Sequence, residues 1–164
     1  MGGCKLTIAL KGLIDEDFVN YKKPSMTLMF PYCTFKCGKE LCQNSELAEI
    51  PYPLHVPVDL IFERYVNNPI TKSVVLQGLD PMDSWEDVKE LLHYFRLVGG
   101  CLDDIVIYTG YTEDEISEKI NEIKAIYSNI IFKFGRYIPD EKPHFDEVLG
   151  VNLASDNQYA KKIS

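Results

Sequence analysis

Positive charge is in short supply in this sequence. Seventeen Lys and Arg stand against 25 Asp and Glu, for a formal charge of −8 and a pI near 4.9. An acidic surface repels phosphate backbones and anionic lipid. The basic residues form no long run and no basic–aromatic stripe, so no nucleic-acid partner is expected. Long apolar runs are missing too: none approaches the roughly 20 residues of a membrane span, and no membrane partner is expected. No segment near the N-terminus has the build of a signal peptide, because "KLTIALKGLI" is broken by lysines and no small-residue cleavage site follows. "MGGCKL" opens like a myristoylation sequence but carries Leu6 where Ser or Thr is required. Cysteine is sparse, five in 164 residues, and an odd number without a secretion signal argues against a disulfide framework. A reducing cytoplasm is the expected compartment. Internal repeats and low-complexity tracts are absent as well.

What remains is the composition of a globular protein, 46% hydrophobic and 26% charged, in a length that suits one domain over 1–164. Residues 5–12 predict a short strand or hairpin arm, followed by a polar connector. "SMTLMF" (25–30) is β-prone. A Pro-rich passage (49–57) precedes "VDLIFERYVNN", where Val58, Leu60, Ile61 and Tyr65 predict a short amphipathic helix ended by Asn68-Pro69. "SVVLQ" (73–77), "DIVIYTG" (104–110) and "NIIFKFG" (129–135) read as buried strands. Between them, Ser84 with Asp87 and Thr112 with Glu115 each predict a capped helix, the first with Trp85, Val88, Leu92 and Phe95 inward and Gly99-Gly100 at its end. After residue 135 the chain reads as polar and irregular. Strand–helix alternation predicts an α/β fold with about four or five mostly parallel strands. Its helices lie on one side of a curved sheet or on both sides of a flat one. Functional groups should then gather at the C-terminal strand ends, "FPYC", "QGLDPM", "YTGYT" and "KFGRY".

Three of the five cysteines, Cys33, Cys37 and Cys42, fall within ten positions. Thiolates are soft ligands that suit zinc or an iron–sulfur cluster, and three buried but unligated thiols are the plain alternative. A closed zinc site needs a fourth ligand. Cys4, Cys101 and His55 are the candidates, and none stands in an evident ligand spacing. A 4Fe–4S cluster on three cysteines leaves one iron open to a small molecule.

Cys33-x3-Cys37-x4-Cys42 at a strand end is similar to the C-x3-C-x2-C signature of radical S-adenosylmethionine (SAM) enzymes, with two more residues in the second gap. "QGLDP" resembles their G-G-E motif in its G-G-D-P form, with Leu79 at the second glycine. "CQNS", "DIVIYTGYTEDE" and "KFGRYIPDEKPHFDEVLGVNLASDNQ" resemble the activating proteins of anaerobic ribonucleoside-triphosphate reductase, in the same order from about Ser25 onward. The resemblance implies a compact radical SAM core, a partial (β/α) barrel. Cys33, Cys37 and Cys42 would ligate three irons of a 4Fe–4S cluster, and SAM would bind the fourth. Reductive cleavage would give methionine and a 5′-deoxyadenosyl radical, which makes a glycyl radical on the reductase. Gly78, Leu79 and Asp80 would lie beside the SAM amino group, Leu41 and Gln43 beside the adenine or ribose, and Thr109 within reach of SAM. Tyr111 and Arg136 would line the mouth or meet the partner. No catalytic side chain beyond the cluster ligands is implied, and none is assigned to His93 or to His144, read as a solvated loop residue. The implied partners are the reductase large subunit and a small electron donor, flavodoxin or ferredoxin. Residues 1–24 would be an extension and 136–164 a docking region. Two other readings stay open: another small radical SAM enzyme, such as a deazaguanine synthase-like protein or another glycyl-radical activase, and a non-catalytic zinc module.

Overall fold

The computed structural model describes residues 6–34, 40, 46 and 52–164. In chain order the elements are β1 (Thr7–Leu10), β2 (Gly12–Asp17), β3 (Ser25–Phe30), β4 (Leu54–Pro57), α1 (Val58–Val66), β5 (Ser73–Gly78) and α2 (Trp85–His93). They continue with β6 (Asp104–Tyr108), α3 (Ser117–Ile126), β7 (Ile130–Phe134), β8 (His144–Asp146), β9 (Val151–Leu153) and β10 (Tyr159–Lys162). The four apolar runs read from the sequence are β3, β5, β6 and β7, and they lie in parallel at the centre of a six-stranded sheet ordered β10-β7-β6-β5-β3-β2.

Both edges of that sheet are antiparallel and neither was expected. "LIDED", expected as part of a polar connector, forms β2 together with Gly12, and β2 pairs with β3 from Gly12↔Met29 to Asp17↔Ser25. The tail beyond residue 135, expected to be irregular, contributes β10 against β7 and the β8–β9 ribbon. An edge strand is covered on fewer sides than a central one, so it lacks the apolar run that reveals buried strands. β1 pairs with β4 in a separate ribbon.

Among the described residues, the three helices α1, α2 and α3 pack on one face of the sheet. Met26, Leu28, Phe30, Leu76, Ile105, Ile107, Phe132 and Phe134 form one core with Ile61 of α1, Leu91 and Leu92 of α2, and Ile120 and Ile123 of α3. Each such side chain, buried from water, contributes about 1.5–3 kcal/mol before the entropy of ordering. The opposite face carries Val75, Val106 and Ile131, covered by Tyr21, Leu149 and Leu153 from the two flanking segments instead of by helices. This one-sided layering is the α/β arrangement of an opened barrel.

Three local expectations change. Leu60 is 52% exposed, and the inner stripe of α1 is Val58, Ile61 and Tyr65. Ser84 makes no cap hydrogen bond. Asp80 instead accepts Met82 N–H at 3.0 Å and caps a 3-10 turn (Pro81–Ser84) that leads into α2. Asp87 turns away to accept Ala9 N–H at 3.0 Å, docking β1 on the helix. The Thr112–Glu115 box does form, with reciprocal bonds of 2.8 and 3.3 Å, one turn ahead of α3.

Candidate functional site

The strand ends run side by side past the sheet. Leu79 N–H donates to Phe30 O at 3.1 Å and Asp80 N–H to Tyr32 O at 2.8 Å, so "FPYC" and "GLD" continue the β3–β5 ladder. Gly78 makes this possible. Its φ is +97°, and a Cβ there would stand 2.7 Å from Phe30 N. Leu79 has no positive φ, so the backbone itself does not require a glycine at that position. Its side chain is buried and lines the cavity below.

The Asp80 carboxylate ties its own turn to the end of β6. It accepts Met82 N–H, Gly110 N–H at 2.9 Å, and the Thr109 hydroxyl at 3.0 and 3.1 Å to its two oxygens. Burial pushes its pKa up to about 6 even though those hydrogen bonds favour the ionised form. Thr109 in turn accepts Tyr111 N–H at 3.1 Å, so its hydroxyl serves the strand-end turn. Beyond it, the Tyr111 hydroxyl donates to Asp83 at 2.6 Å, and the other Asp83 oxygen accepts the N–H of Thr34, next to Cys33. Burial and the neighbouring Asp83 carboxylate push Tyr111 up to about 12. The Arg136 guanidinium lies 5.3 Å over the Tyr111 ring and is held by both oxygens of Glu115 at 3.1 Å.

Around these groups lies a cavity of about 350 Å³ at the C-terminal ends of the parallel strands. The structure brings Cys33, Gly78, Leu79, Asp80 and Thr109 together on its wall, with Arg136 at the side. Cys33 is half-buried there. Cys37, Cys42, Leu41 and Gln43 lie outside the described residues, as does Cys4. Among the described residues no three His, Cys, Asp or Glu converge on a metal-sized site. His144 is half-buried in β8, with its Nδ1 enclosed, so it is not the solvated loop residue expected. His93 is exposed on α2.

Several lining residues escaped sequence reasoning: Asn20, Tyr108, Lys133, Ala154 and Gln158. Lys133 did carry a signal, as the lone charge inside the buried strand "IIFKF". Tyr108 donates its hydroxyl to Asn20 O, a partner 88 residues away that no local pattern predicts.

The donor set and the cradle suit the cofactors of the radical SAM type. A thiol stands at the first strand end, and beside it the second strand end makes a turn that a side chain at Gly78 would fill. A family model described as "4Fe-4S single cluster domain" matches residues 24–150. The chain belongs to that family. The matched span takes in Cys33, Cys37, Cys42, the "GLD" turn and Thr109, and leaves β1, β2, β9 and β10 outside. Membership makes this a 4Fe–4S, radical SAM-type domain, and favours an iron–sulfur cluster over zinc on the clustered thiols. No curated protein and no solved structure matches the chain. Among the described residues no helix is long and apolar enough to cross a membrane.

Proposed function

We propose that this chain is a 4Fe–4S- and SAM-dependent activase that generates a glycyl radical on an anaerobic ribonucleoside-triphosphate reductase. The observation behind this is the meeting of Cys33, the Gly78–Asp80 turn and Thr109 around one cavity at the parallel strand ends. Cys33, Cys37 and Cys42 would hold the cluster and leave one iron for SAM. When bound, cluster and SAM together supply an electron and a 5′-deoxyadenosyl radical able to abstract a hydrogen atom. The chain's own residues bind and orient. Backbone groups of Gly78 and Leu79, with the Asp80 carboxylate behind them, offer acceptors to the SAM ammonium. Thr109 holds Asp80 in place, while Leu41 and Gln43, flanking the last ligand, would meet the adenine or ribose. Hydrogen abstraction from a glycine requires no side-chain base. Residues 1–164 would act as one unit in a reducing cytoplasm. The strand-end edge and the 136–164 segment would receive the reductase large subunit, and a flavodoxin or ferredoxin would deliver the electron.

The test is electron paramagnetic resonance of the anaerobically reconstituted, reduced chain, with and without SAM. A reduced 4Fe–4S signal that changes shape on adding SAM is expected. A colourless protein holding zinc, or a cluster signal indifferent to SAM, would sink the proposal.

A further inference from the structure

Residues 154–158 lie beyond the span that the family model matches, yet they close one side of the cavity. Gln158 is 5% exposed and lines it together with Ala154. Its Oε1 accepts the N–H groups of Ala154 and Ser155, each at 3.1 Å, and its Nε2 donates to Gly135 O at 3.2 Å. Asn157 makes the neighbouring attachment: Nδ2 donates to Arg136 O at 2.7 Å, while Oδ1 accepts the Ser155 hydroxyl at 2.6 Å. Two consecutive carbonyls past the end of β7 are thus held by two consecutive tail side chains. Gly135 permits the approach, with φ +101° and only 3.2 Å between a built Cβ and Asn157. Gly135 O also accepts Lys133 Nζ at 3.0 Å, so the tail amide and the buried cation of the cavity share one acceptor.

We infer that Gln158 is a positioning residue for the bound cofactor. It fixes residues 154–158 as a wall of the SAM cavity and sets Gly135 O, hence Lys133, while Asn157 sets Arg136 at the mouth. The inference rests on the cavity being the SAM site. It divides the tail by function, since Gln158 faces the cavity whereas Ile138, Pro139 and Tyr159 line a neighbouring outer groove. Removing the amide leaves two N–H groups and a carbonyl short of a buried partner, which releases the wall.

The experiment compares wild type, Q158L and N157A as full-length, anaerobically reconstituted protein. Iron content and the reduced cluster signal are read first, then SAM is titrated by the change in that signal and by equilibrium dialysis of labelled SAM. Cluster content and the SAM-free signal should match wild type, while half-saturation by SAM rises about tenfold or more in Q158L and less in N157A. Destabilisation alone would lower the fraction carrying cluster and leave the half-saturation of that fraction unmoved. Half-saturation indistinguishable from wild type in both variants overturns the inference, whether or not reductase binding weakens. If Q158L takes up no cluster, N157A decides, because Asn157 is exposed and its truncation opens no cavity in the core. If wild type itself does not respond to SAM, the cofactor reading fails and the inference fails with it.

Discussion

Asp80 is a carboxylate kept from water and then surrounded by donors from two segments, its own turn and the end of β6. Burial raises its pKa from the ordinary 3.8 to about 6, which makes it a source of pH dependence. Below pH about 4 it is protonated in both folded and unfolded chains. Between about 4 and 6 the unfolded chain ionises first, so this residue's contribution to stability falls by roughly 3 kcal/mol as pH rises and is level above that window. Asp17 and Asp104, whose pKa values hydrogen bonding lowers despite their burial, slope the other way, so the comparison has to be made by difference. Urea unfolding of wild type and D80N from pH 4 to 7 should show the wild-type advantage shrinking up to pH about 6 and constant beyond it. An advantage that stays constant throughout would show that Asp80 does not titrate there. Gly78 offers a sharper test of the strand-end geometry. G78A places a Cβ 2.7 Å from Phe30 N at φ +97°, and should cost about 2–4 kcal/mol in urea unfolding. At this scale the sequence was legible where a residue's role is local. "GLD" announced a turn, but not that the Asp caps the 3-10 turn while Ser84 caps nothing. Gln158 was visible only as part of a family-specific string, because its partners are set by the tail folding back on β7.

Among the elements, the buried parallel strands were the easiest to read and the edges the hardest. Val74–Leu76, Ile105–Ile107 and Ile130–Phe132 each bury every side chain, so the run of apolar residues marks them. β2 and β10 are half-exposed and carry Asp, Glu and Lys, a composition shared with loops. The end of α2 hides another device. Its last turn widens to a π-helix (Tyr94–Val98) that carries Arg96 inward, 6% exposed, where it donates to the carbonyls of Cys101, Asp103, Ser128 and Asn129. These carbonyls belong to the approaches to β6 and β7, so one guanidinium sets the starts of two central strands. R96M should lower the urea midpoint by the equivalent of about 3 kcal/mol or more at unchanged m-value, since it strands several acceptors at once. R96K should recover only part of that, because a single ammonium cannot reproduce the planar fork. Full recovery by lysine would show that charge, not geometry, holds the two strands.

On the scale of the whole molecule, the helices on one face leave the strand ends and the opposite face to the two flanking segments and the cavity. A radical formed at the strand-end edge is quenched by solvent and reductant unless something covers it. The activase proposal therefore predicts a coupling that a small-molecule enzyme would not show. With cluster, SAM and a low-potential reductant, the chain alone should release methionine slowly and without a lasting radical. Adding anaerobic ribonucleoside-triphosphate reductase should accelerate release and bring it into step with a glycyl doublet in the paramagnetic resonance spectrum. On that proposal the large subunit would bury the radical face as it presents its glycine, so that cleavage and abstraction would occur in one closed space. Methionine release that is equally fast without the reductase, with no glycyl signal when it is present, would instead mean a substrate small enough to enter the 350 Å³ cavity whole.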